Sequence, residues 1–122
     1  MKLTDETAIA YLAGILDGEG SLSHSKTGRS DCNTFRDVWQ LALKMTDLDV
    51  VRDFADYANA PSVRSVKKAE EHHKQAWQCC ICKRDEIFRI VCDFYPYLCA
   101  RRRARCDEFL QWYAEKEGMK YD

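Results

Sequence analysis

From Ala8 to Leu16 the chain runs through nine residues without a charge, and the run ends in Asp17-Gly18-Glu19-Gly20, acids set between glycines. An apolar run this short cannot cross a bilayer. It also offers water no polar face, and a helix that is apolar all round is buried on both sides. Ala13 and Gly14 are small enough to let another backbone approach closely. The expectation is a helix from Thr4 to about Asp17, packed on its own core on one side and on a twin helix on the other. Glu19 then stands near the line where the two helices meet.

The rest of the chain alternates between two periods. Thr4 reads as an N-cap, with Asp5 and Glu6 in the first turn where carboxylates favour the helix dipole. Gly18 and Gly20 stop the helix, and Gly20 to about Lys26 alternates as a strand. Residues 27–33, rich in Gly, Ser, Asp and Asn, read as a loop. Val38 to Thr46 is the clearest strand: Trp39, Leu41, Leu43 and Met45 share one face, and Val38, Gln40, Ala42, Lys44 and Thr46 the other. Thr46 or Asp47 caps a second helix with Val50, Val51, Phe54, Ala55 and Ala58 as its apolar stripe, and Pro61 ends it. Ser62–Lys68 and Gln75–Cys82 read as a hairpin joined by the polar Ala69–Lys74 turn. A third helix carries Ile87, Phe88, Val91, Cys92 and Tyr95 inward and stops at Pro96. A last helix runs from about Leu98 to Glu117, with Cys99, Cys106, Phe109, Leu110 and Tyr113 on one side.

At 122 residues the chain reads as a single domain, residues 1–122, with enough surface to bury a core. It starts without a secretory signal pattern and has no run long enough to span a membrane. The odd count of seven cysteines and the ample core favour reduced thiols and an intracellular setting rather than secretion. The net charge of −1 is unlike most nucleic-acid binders. Its distribution is more informative: Arg64, Lys67 and Lys68, then Lys83 and Arg84, then Arg101-Arg102-Arg103 with Arg105 form basic patches able to bind phosphate.

Leu12-Ala13-Gly14-Ile15-Leu16-Asp17-Gly18-Glu19-Gly20, with Tyr11 before it and Ser21-Leu22 after it, resembles the signature of the LAGLIDADG homing endonucleases. The order helix, two strands, helix, two strands, helices is also that of the family's half-barrel core, so the resemblance covers nearly the whole chain. It implies an α+β fold, αββαββα with a curved antiparallel sheet, here with an extra C-terminal helix. One copy of the motif implies a homodimer joined through the signature helix, with Tyr11, Ala13, Gly14, Asp17 and Gly18 at the contact. The end Lys120-Tyr121-Asp122 lacks the His-Asn of an intein, which favours a free-standing enzyme of the intron-homing kind.

The resemblance also implies the chemistry. Glu19 stands where the family has its metal-binding acid, more often an aspartate, and the Gly18 carbonyl is a further ligand. Magnesium, with manganese as a substitute, suits such oxygen donors. Asp17 is the acid the family uses structurally. Arg101 follows Pro96-Tyr97-Leu98 at the spacing of a basic residue beside the active site; the alternative is an exposed basic helix face, and Arg102 and Arg103 leave the register open. Asp47 matches a position that orders water in relatives; the alternative is a helix N-cap.

The outward strand faces carry Ser21, Ser23, Ser25, Gln40, Lys44, Arg64, Lys68 and Gln78. These side chains read base edges, and a β-ribbon fits the major groove of double-stranded DNA. The alternative is an ordinary solvated sheet face. The functional expectation is a site-specific endonuclease that makes a metal-dependent double-strand break in a long, roughly palindromic target. Its first rival is a non-cleaving nucleic-acid binder, such as an RNA maturase, splicing cofactor or DNA-binding regulator. The second rival is a zinc-stabilised interaction domain. Cys79 and Cys82 on one strand point to opposite faces and make a poor zinc chelate, and Pro96 breaks the register of Cys92, Cys99 and Cys106, so structural zinc is disfavoured. His72 and His73 read as solvated turn residues, with phosphate contact as the alternative, and His24 as a core-edge residue.

Overall fold

The computed structural model of the chain describes residues 6–28, 35–60, 62–68 and 70–118. The Thr4 cap, Asp5, loop residues 29–33, Pro61, Ala69 and Lys120-Tyr121-Asp122 lie outside the described residues. In chain order the elements are α1 (Glu6–Glu19), β1 (Gly20–Gly28), β2 (Phe35–Met45), α2 (Leu48–Ala58), β3 (Val63–Val66), β4 (Ala76–Ile81), α3 (Arg84–Phe94) and α4 (Ala100–Lys116). The Tyr95–Tyr97 segment forms one 3-10 turn between the last two helices. This is the expected αββαββα order with an additional C-terminal helix.

The four strands make one antiparallel sheet in the order β1-β2-β4-β3. Period two divides each strand between two faces. Trp39, Leu41 and Leu43 of β2 and Cys79 and Ile81 of β4 are buried inward. There they join Leu12 of α1, Phe54 of α2, Ile87, Ile90 and Phe94 of α3, and Phe109 of α4 in one core. Burying a large apolar side chain of this kind contributes roughly 1.5–3 kcal/mol, so this cluster holds the helices on one face of the sheet. The opposite face keeps Ser21, Ser23, Ser25, Lys44 and Arg64 exposed.

Several boundaries differ from the sequence reading. Helix α1 runs through Gly18 to Glu19, and β1 starts at Gly20 with no connecting residue. A Cβ on Gly20 would come within 2.3 Å of Leu16 Cδ1 and 2.8 Å of the Leu16 carbonyl oxygen, so the helix-to-strand switch requires glycine there. Helix α2 ends before Pro61: Asn59 adopts a left-handed conformation (φ 54°) and its N–H bonds back to the helix carbonyls. This is the C-cap geometry that asparagine tolerates.

In α3 the buried stripe is Ile87, Ile90, Val91 and Phe94. Cys92 is exposed, a correction to the expected face, while Tyr95, just past the helix, is half-buried against the core. The reason is that helix neighbours lie at both three and four residues, and Ile87-Ile90-Phe94 with Val91 makes a wider stripe than the one read. Phe88 sits at the core edge, stacked on Tyr113 with ring centroids 4.3 Å apart. Cys99 is the exposed N-cap of α4 rather than part of its buried side.

The candidate active site and sheet interface

Helix α1 is not covered all round within the chain. Ala8, Leu12, Ala13 and Leu16 face the core, whereas Tyr11 is 48% exposed and Gly14, Gly18 and Glu19 are exposed. Ala13, with no exposed surface, backs the helix onto its own core; its assignment to an outward contact is corrected. A Cβ built on Gly14 or Gly18 meets nothing within 4 Å. Each glycine inside a helix costs about 1 kcal/mol relative to alanine, and nothing among the described residues requires glycine at these two positions.

Asp17 has a structural task. Its Oδ1 accepts the backbone N–H of Cys99 at 2.9 Å, satisfying an otherwise unpaired donor at the start of α4. In the other direction Arg102 Nε donates to the Asp17 carbonyl at 3.0 Å, answering a last-turn carbonyl of α1. The end of α1 is thus strapped to the beginning of α4. The Cys99 N–H and thiol, with the Arg102 and Arg101 charges, hold the Asp17 carboxyl below its ordinary range against a small desolvation effect.

The arginine run divides by partner. Arg102 holds Asp17; Arg103 donates to the Tyr95 and Pro96 carbonyls. Arg105 donates to the Leu22 carbonyl and lies 5.2 Å from the Trp39 ring centroid. Arg101 is exposed and makes no hydrogen bond or ion pair among the described residues. Three of the four arginines thus fasten the fold, and Arg101 alone of the four makes no hydrogen bond or ion pair among the described residues.

Glu19 is likewise exposed, without a hydrogen bond or ion pair among the described residues. It is the last residue of α1, where helix carbonyls lack helical N–H partners and the helix end carries partial negative charge. A carboxylate, the nearby Gly18 carbonyl and that dipole end are hard oxygen donors, a set that fits magnesium or manganese. The register Gly20↔Leu43 brings the end of β2 beside this point. Asp47, two residues beyond β2, caps α2: its Oδ1 accepts the N–H of Asp49 at 3.1 Å and of Val50 at 3.4 Å. The N-cap alternative for Asp47 is realised.

On the outward face Ser23 pairs with Gln40, and Lys44, Gln78 and Arg64 form one cross-strand row. Ser21 pairs with Ala42 and Ser25 with Val38. Lys68 is exposed two residues past the end of β3. Gln40 Nε2 donates to Cys80 Sγ at 3.1 Å, which fixes the amide's position on the sheet. A groove of about 710 Å³ is lined by Gln40, Arg64, Gln78, Cys80, Cys82 and Lys83, among others. Cys80 and Lys83 line this groove too: Cys80 shares the strand face of Gln78 and Lys83 belongs to a basic patch of the sequence, but neither was among the residues expected to contact DNA.

Among the described residues, Cys79 is buried and Cys82 exposed. Burial pushes the thiols of Cys79 and Cys106 up to about 11, so both stay neutral inside the core near pH 7. His24 stacks on Trp39 at 4.7 Å and meets Asp37 at 2.9 Å, at the edge of the core.

This arrangement of helices on a four-stranded sheet is the LAGLIDADG homing endonuclease fold. The homing endonuclease I-CvuI, solved with its DNA target in the presence of calcium, superposes with a TM-score of 0.71 at 20% identity, over 87% of this chain and 65% of its own. The group I intron-encoded homing endonuclease I-CeuI, solved with DNA, gives 0.71 at 18% identity over 91% of this chain and 55% of that one. The homing endonuclease I-TnaI gives 0.71 at 17% identity over 97% and 77%. The chain therefore spans about two-thirds or less of the length of the first two. No protein-family model matches the sequence, and no curated protein is significantly similar to it.

Proposed function

We propose that the protein is a site-specific DNA endonuclease that works as a homodimer on a long, roughly palindromic duplex and makes a metal-dependent double-strand break. The observation that carries this reading is Glu19: an exposed carboxylate, without a hydrogen bond or ion pair among the described residues, at the end of a helix whose outer face, Tyr11, Gly14 and Gly18, those residues leave open. Two such helices in contact would bring two Glu19 carboxylates together, one for each strand of the duplex. A divalent ion held by Glu19 and the Gly18 carbonyl would supply an activated water and stabilise charge at the scissile phosphate. Arg101 would offset charge on that phosphate. Lys44, Arg64 and Lys68 would contact the DNA backbone, while Ser21, Ser23, Ser25, Gln40 and Gln78 would read base edges. Asp47, with its Oδ1 engaged by the cap, would order water through its remaining oxygen.

The test is a cleavage time course beside a gel-shift titration, on a site selected from a randomised library with Mg²⁺. Glu19→Gln keeps the shape and removes the charge. Binding is expected to survive, since affinity comes mainly from phosphate contacts. Cleavage is expected to fall by several orders of magnitude, each ~1.4 kcal/mol of lost transition-state stabilisation being tenfold. An unchanged rate removes the active site proposed here. A wild type that binds but never cuts with Mg²⁺ or Mn²⁺ leaves a non-cleaving nucleic-acid binder.

A further inference from the structure

The β3–β4 connection holds a second group of metal-ligating side chains, remote in chemistry from Glu19. Glu70, His72 and His73 each offer one ligand atom, and these atoms lie within 4.8 Å of one another. The turn that gathers them is closed by a hydrogen bond from the His73 N–H to the Glu70 carbonyl at 3.1 Å. His72 Nδ1 already stands 3.2 Å from Glu70 Oε2, and the two imidazole centroids are 4.6 Å apart. Tetrahedral zinc, with bonds of ~2.0–2.1 Å, spaces its ligands by about 3.4 Å. One pair is at that spacing, and small rotations of exposed side chains bring in the third.

We infer that Glu70, His72 and His73 form a binding site for a transition-metal ion of the Zn²⁺, Co²⁺ or Ni²⁺ kind. Two imidazoles and one carboxylate are the donor set such ions take up, with a coordination position left for water or an outside ligand. Magnesium, which prefers oxygen donors, is disfavoured at this turn. The pairing Met45↔Trp77 sets the β3–β4 turn at the end of the sheet where β2 leads into Asp47. A cation there would add a cross-link to a turn already closed by the His73–Glu70 backbone bond and by Gln75 Nε2 donating to the Val66 carbonyl.

The experiment is a Co²⁺ titration of the full chain, without DNA, followed by calorimetry and visible absorption. Cobalt distinguishes donors, because thiolate ligation gives a charge-transfer band that imidazole and carboxylate do not. The His72→Ala/His73→Ala variant is expected to lose one equivalent of bound Co²⁺, and Glu19→Gln to retain it. In the unmutated protein, substoichiometric Co²⁺ is expected to perturb the His72 and His73 ring signals in NMR before those of His24. Unchanged stoichiometry in the double variant overturns the site. So does bound Co²⁺ whose spectrum is that of thiolate ligation, which would give the metal to the cysteines instead.

Discussion

Asp17 and Glu19 lie two residues apart on the same helix end and do different work because their surroundings differ. Asp17 is tied to Cys99 N–H, and its charged form is the one the fold favours. Its contribution to stability is therefore fully present above the unfolded carboxylate pKa of ~3.9 and lost as pH falls through the lower folded value. Asp17→Ala is expected to cost about 1 kcal/mol, the usual price of a lost helix cap. Urea unfolding at pH 7 and again at pH 2.5 checks this: the gap between wild type and variant should narrow in acid. The arginines divide in the same way. Arg101→Ala is expected to leave the melting temperature unchanged and to slow cleavage less than Glu19→Gln does. Arg102→Ala is expected to lower the melting temperature, since it unties Asp17. Thermal melts of the two variants side by side would separate them, and equal destabilisation would contradict the division.

Among the elements, α1 is the one whose sequence is not accounted for by its own chain. Leu12 and Leu16 are buried in the core as their spacing requires, while Gly14 and Gly18 open onto free space. Gly14→Leu is therefore expected to leave the monomer fold intact, as a Cβ there meets nothing within 4 Å among the described residues. In a two-fold helix pair the same leucine would overpack the contact by roughly 1–3 kcal/mol. Sedimentation at micromolar concentration, with circular dichroism as the control for folding, gives the answer. A wild type that stays monomeric even on DNA would end the homodimer reading, and a Gly14→Leu dimer as tight as wild type would move the contact elsewhere.

Across the whole molecule, a net charge of −1 does not oppose the proposed DNA-facing sheet, because a local basic row can bind phosphate in a chain of near-neutral total charge. Lys44 and Arg64 stand in one cross-strand row with Gln78 between them, on the side away from the core. Replacing a phosphate-contacting cation by alanine is expected to reduce the salt slope of DNA binding by about 1; replacing a base-reading one relaxes preference at one position. Gel-shift titrations across salt concentrations and site variants distinguish the two for Lys44→Ala and Arg64→Ala. If both bind every sequence at every salt as wild type does, the outward face is not the DNA surface.

Local pattern was enough to order the elements, to choose the inward face of β2 and to narrow the α2 cap to Thr46 or Asp47, because each of these depends on residues within a turn or two of one another. It was not enough for the buried stripe of α3, where Ile90 and Phe94 are buried and Cys92 is exposed. Helical spacing admits neighbouring stripes, and packing against the sheet selects between them. The Asp17–Cys99 strap joins residues 82 apart in sequence, and no local pattern announces it. Nor could spacing tell Arg101 from Arg102 and Arg103, which differ only in what the folded chain sets beside them. Local sequence was enough for the α+β order, for the acids that follow the uncharged Ala8–Leu16 run and for the polar outer face of the sheet. Tertiary structure decided which acid and which arginine remain unengaged, since that depends on partners brought together only when α4 docks against the end of α1.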